Sequence, residues 1–317
     1  MAPAPIRSSA LLTACVLALG LLGGCGSDTG ESTGAGTGEM PPPSPLARIA
    51  VAGPFGTLDP LYVNSHSDRL LSRQIYDPPV SRLDPPLGGA GRRRGPLRPV
   101  GTQPGSPDWY FDLRPGIRFQ DGTPLNADAV VLNSLRWLAS GMAKEVLPEL
   151  DAVDTPVPGG VRFQLSAPVP DLPARISDPR FGLVAPAALK RYKLTEIPDG
   201  EGGSGGFAPA LITEDRVLLT AAPNWWGADA GLGPGVDQLE FRAAPSPIAR
   251  LGLLHDGAVD VADDLGRRAT SLIADQPLLV LGTQGERVLG ASAAVRGLRT
   301  GTTEQPLSEI WLTDLRP

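Results

Sequence analysis

Residues 109–137 read WYFDLRPGIRFQDGTPLNADAVVLNSLRW, and this stretch decides the fold class. Trp109, Phe111 and Leu113 alternate with Tyr110, Asp112 and Arg114, the period of a half-buried strand. Pro115-Gly116 turns the chain, Ile117-Arg118-Phe119 reads as a returning strand, and Asp121-Gly122 turns again. Asn126 is a good N-cap, and Asp128 in the first turn complements the helix dipole. Ala127, Val130, Val131, Ser134, Leu135 and Leu138 then fall on one helical face, and Gly141 ends the helix. Two strands and a capped helix within thirty residues point to a mixed α and β domain.

Working outward, the same alternation of elements continues. Ala47–Val51 is a first strand, followed by a loop over 53–64 and a helix over 67–76 that Asp77-Pro78-Pro79 stops. Residues 85–107 are rich in Gly, Pro and Arg and read as a long surface loop. Strands are expected at 161–165, 215–221, 236–242 and 259–261, with Leu239 and Phe241 facing inward. Short helices are expected at 186–192 and from Ser246-Pro247 to about Asp256, the second stopped by Gly257.

The N-terminal end has a different character. Arg7 precedes an apolar run over 10–22, too short to span a bilayer as a stable helix. Leu22-Gly23-Gly24-Cys25 then puts small residues directly before a cysteine, the pattern of a bacterial lipobox. The expectation is a signal peptide over 1–24, lipidation of Cys25, and a flexible Gly/Ser/Pro tether over 25–45. The second cysteine, Cys15, falls in the part to be removed, so the mature domain holds no disulfide and no thiolate metal site. The net charge of −6 argues against nucleic-acid binding, and the one basic cluster, Arg92-Arg93-Arg94, reads as solvated loop.

Several segments, in order, resemble the family-5 solute-binding proteins, the peptide- and nickel-binding lipoproteins of ABC importers. They are Thr57-Leu58-Asp59-Pro60, Gln74-Ile75-Tyr76, the 109–137 stretch, Gly203-Ser204-Gly205-Gly206-Phe207, Asn224-Trp225-Trp226-Gly227, and LLHDGAVDVADD at 253–264. The resemblance implies the first lobe of a class II periplasmic-binding-protein-like fold over 46–317, with a mixed sheet and flanking helices. Family members insert a second lobe at about this point, and only about fifty residues follow Leu265, so the second lobe is expected to be missing near 265–280. Residues 295–312 resemble the family's closing strand. The implied role is solute capture for an ABC permease, with a small peptide or similar ligand, no metal, no cofactor and no nucleic acid. The alternative is a one-lobed interaction lipoprotein that captures no ligand.

Candidate ligand contacts follow from the same reading: Phe55, Tyr62, Asn64 and Phe207, expected around one cleft. No catalytic constellation is present. His66 reads as a surface histidine, His255 as a structural residue at a helix end, Asp263-Asp264 as a solvated turn, Ser204 as part of a Gly-rich turn, and Trp225 and Trp226 as packing residues.

Overall fold

The computed structural model describes residues 46–81, 95–229, 236–266, 278–284, 287–292 and 295. Cys25 and its tether, Arg92–Arg94 and nearly all of the closing segment lie outside the described residues. The described strands form two sheets. The larger has the order β10-β11-β9-β1-β8-β7-β6, the strands being β1 Leu46–Val51, β6 Phe207–Ile212, β7 Arg216–Ala221, β8 Gln238–Ala243, β9 Val261–Ala262, β10 Leu278–Gln284 and β11 Arg287–Ser292. Its centre is parallel, β1 between β8 and β9, and its flanks are antiparallel. The smaller sheet is antiparallel, in the order β2 (Leu97–Thr102), β3 (Trp109–Leu113), β5 (Gly160–Leu165), β4 (Leu150–Asp154). The observed class is α/β, as the sequence indicates.

Each sheet has its own core. Ile49 and Val51 of β1, Phe207 of β6, Val217 and Leu219 of β7, and Leu239 and Phe241 of β8 point to one face of the large sheet. There they meet Leu70, Leu71 and Ile75 of α1 (His66–Ile75) and Leu189 of α5 (Pro186–Arg191). The other core packs Phe111, Phe163 and Leu165 against Val130 and Trp137 of α2 (Ala127–Ser140). The Phe111 and Phe163 rings meet edge-on at 5.2 Å, a favoured aromatic geometry. The Asn126 side chain caps α2 through the Ala129 amide, and Gly141, at φ 81°, ends it in the left-handed conformation. Ser246 stands at the start of α7 (Pro247–His255) without a side-chain capping bond, so Pro247 sets that helix's entry.

Three expectations are corrected. Part of the 85–107 segment is β2, because Pro99 sits on an edge strand at a register shift, where a missing N–H costs little. Ile117–Phe119 makes a single bridge, Arg118 to Pro124, because β3 already has β2 and β5 as neighbours. The expected inner face of α2 holds at Ala127, Val130 and Ser134, but Asn133, Arg136 and Trp137 are buried beside it, while Leu135 is half exposed at 50%. Polar side chains go inward there because each has buried partners. Asn133 donates to the Val184 carbonyl and accepts from its amide, at 2.9 Å each.

Arg136 has the most demanding set. Its guanidinium donates to both carboxylate oxygens of Asp59 and to the carbonyls of Leu194 and Thr195. Asp59 also accepts from the amides of Leu61 and Ile197, at 3.0 and 2.6 Å. Asp59 is fully buried and Arg136 2% exposed, so neither charge has water to fall back on.

Asp59→Ala strands a buried guanidinium and should lower unfolding free energy by about 3–5 kcal/mol in urea titration. Arg175→Ala, which breaks a surface pair with Glu149, should cost about 1 kcal/mol or less. Equal losses would sink this ranking. Burial pushes the Asp77 carboxyl from 3.8 up to about 6, against the pull of indole hydrogen bonds and the Arg73 charge. The folded state holds that proton more tightly than the unfolded chain. Its contribution to stability is therefore full below pH 3.8 and lost as pH rises through about 6, by roughly 3 kcal/mol at most. Asp77→Asn should flatten this part of the stability–pH curve, followed by chemical denaturation between those limits.

Candidate functional site

The strand registers give the large sheet two distinct edges. At the amino edge lie Leu46, Gln238, Thr220, Ala221 and Phe207, in register across β1, β8, β7 and β6. At the carboxyl edge lie Val51, Ala243, Arg216 and Ile212, with Asp263 directly after β9. Six-residue strands separate the edges by about 17–20 Å. Open sheets with parallel strands place ligand sites outside the carboxyl ends of those strands.

Of the four candidate contacts, Phe55 lies at the carboxyl edge, and Tyr62 and Asn64 follow on the loop that leads from it to α1. Phe55, half buried, follows β1 and donates its amide to the Glu214 carbonyl at 3.2 Å, in the turn between β6 and β7. Tyr62 is 37% exposed, and its ring lies over the buried Arg136 guanidinium, 5.7 Å to the ring centre. Asn64 is exposed and donates to the Tyr62 carbonyl at 3.0 Å. Phe207 is the exception: it starts β6 at the amino edge, and its ring is fully buried in the core. The apolar end of a Gly-rich segment reads the same whether it faces a cleft or a core.

The ledge over 53–64 is tied down at several points. The Gly53 amide donates to Ser67 Oγ at 3.3 Å and the Gly56 amide to Asp68 Oδ1 at 2.9 Å. Gly53, at φ 34°, lies so close to β8 that a Cβ there would sit 2.3 Å from the Ala243 Cβ, so no larger residue fits. The Asp59 side chain caps the 3-10 turn Pro60–Tyr62 and is itself clamped by Arg136.

Two further residues complete the edge. His66 Nε2 lies 2.6 Å from Asp263 Oδ2, joining the start of α1 to the end of β9. The solvated-turn and surface-histidine readings are thus corrected: Asp263 is fully buried, and the His66 side chain is 11% exposed. The signal was available, because Asp263 is two residues beyond the inward-facing Val261 and shares its face. Arg250, on α7, is buried and donates to the carbonyls of Ala244, Asp263 and Asp264. It thereby fastens the ends of β8 and β9 together. Burial pulls its guanidinium below the usual value, with the charges of Asp264 and Asp263 opposing. Periodicity misses it, since a buried arginine serving carbonyls leaves no pattern.

The remaining candidates have structural places. His255 is exposed at the end of α7. Ser204 Oγ donates to the Leu183 carbonyl and accepts from the Asp77 amide. Trp225 and Trp226 both donate their indole N–H to Asp77 Oδ2, at 2.8 Å. No group of three metal-ligating side chains occurs among the described residues. The carboxyl edge offers a fixed polar and aromatic ledge, suited to holding a solute by ring contact and hydrogen bonds.

Asp263→Ala removes the buried partner of His66 and should lower stability by about 1–3 kcal/mol in thermal unfolding. Asn64→Ala, at the exposed tip, should stay within about 0.5 kcal/mol. A neutral Asp263→Ala would show that the pair does not hold the edge.

Comparison with known proteins places this frame. Among curated relatives, the chain is similar to the probable D,D-dipeptide-binding periplasmic protein DdpA of Escherichia coli K12, 26% identical over 164 residues, which cover 50% of this chain and 31% of that protein. It is also similar to the glutathione-binding protein GsiB of the same strain, 27% identical over 224 residues, which cover 68% of this chain and 41% of that protein. The chain thus spans about a third to two fifths of the length of these relatives. Its fold matches that of OppA from Haemophilus influenzae in complex with RPPGFSPFR, with a TM-score of 0.64, 14% identity, and coverage of 76% of this chain and 51% of that one. It matches equally the binding protein MoaA from A. tumefaciens R10 in complex with mannopinic acid, with a TM-score of 0.64, 22% identity, and coverage of 76% and 50%. The sequence model described as bacterial extracellular solute-binding proteins, family 5 middle, matches residues 103–309, more than half of the chain. The chain belongs to the bacterial extracellular solute-binding proteins of family 5.

Proposed function

We propose that this chain is a ligand-capturing part of an extracytoplasmic solute-binding protein that passes a small solute, of the peptide class, to the permease of an ABC importer. The observation that carries the reading is the ledge that follows β1: Tyr62 and Asn64 stand exposed on a loop fixed from beneath by the buried Asp59–Arg136 pair and by the Asp68 carboxylate on the Gly56 amide. A binding surface fixed in advance loses less entropy on capture. The names of the relatives support the peptide class, since DdpA is described for a dipeptide, GsiB for glutathione and OppA for a nonapeptide. No catalysis is assigned. In this reading residues 1–24 direct export, Cys25 carries the lipid, and residues 25–45 let the domain that begins at β1 reach away from the membrane.

The test is a thermal-shift screen of the chain against di- to nonapeptides, glutathione and opines, with each hit repeated by calorimetry. A saturable rise in Tm that grows with ligand concentration is expected. Tyr62→Ala should weaken the hit several-fold, beyond the modest fall in unliganded Tm that loss of its ring contact with Arg136 brings. A cooperative melt that no ligand shifts would overturn the capture role in favour of an interaction lipoprotein. For the anchor, Cys25→Ala should move the protein from the membrane fraction to the soluble fraction.

A further inference from the structure

The amino edge of the large sheet holds an open cavity of about 490 Å³, formed by three segments, 118–122, 204–208 and 220–225. It lies at the opposite end of the strands from Phe55 and the turn between β6 and β7. Its volume falls within the range of small-molecule sites.

The walls are fixed. Trp225 is held by its indole N–H on Asp77. The backbone presses closely on its ring: a Cβ on Gly206 would stand 3.3 Å from it, and one on Gly227 2.3 Å. Gln120 donates its side-chain amide to the carbonyls of Gly205 and Phe207, at 3.1 and 2.8 Å, and its own amide donates to Gly203 at 2.9 Å. Gly205 has no room for a side chain, since a Cβ would lie 2.6 Å from the Gln74 carbonyl oxygen. These contacts pin all three wall segments without using the cavity's own volume.

The lining is chemically lopsided. Phe119 and Trp225 give it aromatic surface, and Thr220 and Asn224 give it hydroxyl and amide groups. Arg118 is exposed and, among the described residues, is the one charged side chain of the lining, which includes no acidic side chain. Arg118 spends one guanidinium nitrogen on the Gly122 carbonyl, at 2.8 Å, and no carboxylate pairs with it among the described residues. A guanidinium and aromatic rings lining one cavity suit a flat apolar body that carries one carboxylate.

We propose that this cavity is a second ligand site, separate from the ledge, that takes small monocarboxylates with an aromatic or comparably flat apolar body. Arg118 receives the carboxylate and Trp225 carries the body. The site does not depend on the peptide reading above, because it shares no residue with the ledge.

The probe is phenylacetate, titrated into the full chain by calorimetry and tryptophan fluorescence, with neutral phenylacetamide as the control. Saturable binding of the acid is expected, with the amide weaker by at least roughly tenfold, the value of a charge-assisted hydrogen bond. Arg118→Gln, at an exposed position, should weaken the acid by a similar factor and bring acid and amide level. Ala222→Trp should close the cavity and abolish binding with the Tm kept. Tyr62→Ala and a saturating peptide should leave phenylacetate binding unchanged. Absence of saturable binding, equal binding of acid and amide to the unaltered chain, or indifference to Arg118→Gln would each overturn the proposal. Loss of binding in Tyr62→Ala would also overturn it, by placing the acid at the ledge. Failure of the peptide screen alone leaves these outcomes unaffected.

Discussion

The ion pair between Asp59 and Arg136 is the constraint to which the rest of the domain answers. Two charges removed from water are tolerated only when nearly every lone pair and N–H is matched, and here the matches come from three separate parts of the chain. The loop after β1, helix α2 and the segment 194–197 must all arrive for the charges to be satisfied. Leu58 belongs to the core of the large sheet and Leu61 to the core of the small one, so the pair sits where the two cores meet. It supplies register between layers that hydrophobic burial alone, being non-directional, leaves loosely specified.

The same logic organises both edges of the large sheet. At the carboxyl edge, Arg250 gathers carbonyls that the ends of β8 and β9 leave over, and His66 with Asp263 ties α1 to β9. At the amino edge, Asp77 gathers two indoles and Gln120 gathers two carbonyls. In each place one polar side chain collects groups from several elements, so buried polar groups act as fasteners between elements that pack only partly against each other. The carboxyl ledge and the amino cavity are the surfaces these fasteners leave open.

The sequence makes the elements legible where a local signal exists. Alternation at Trp109–Leu113, the Asn126 cap and the Gly141 stop all reappear as read. The ordered motifs lead to the family that the match over 103–309 shows. Reading fails where a partner far along the chain decides the outcome. Arg136 looks like a solvent residue on α2 until Asp59, 77 residues away, is placed beside it. Leu135 looks inward-facing by its helical spacing and is half exposed, because Arg136 and Asn133 turn inward beside it. Pro99 suggests a loop because nothing local says that its strand lies at an edge. For the site, Phe55, Tyr62 and Asn64 share the loop after β1, whereas the place of Phe207 at the other end of the strands is a property of sheet topology, which no motif spells out.

The central pairing also sets a timetable. Leu46 of β1 lies opposite Gln238 of β8, so the first strand of the domain finds its parallel neighbours only after almost two hundred further residues have been made. Parallel pairing over such a span must close a long loop before any ladder bond forms, which makes it slow compared with the neighbouring hairpins. The small antiparallel sheet and α2 lie wholly inside that interval and can form first. The domain therefore stays open at its centre while its interior insert condenses. A chain built in this order remains threadable for most of its synthesis and locks only when its last central strands come into place.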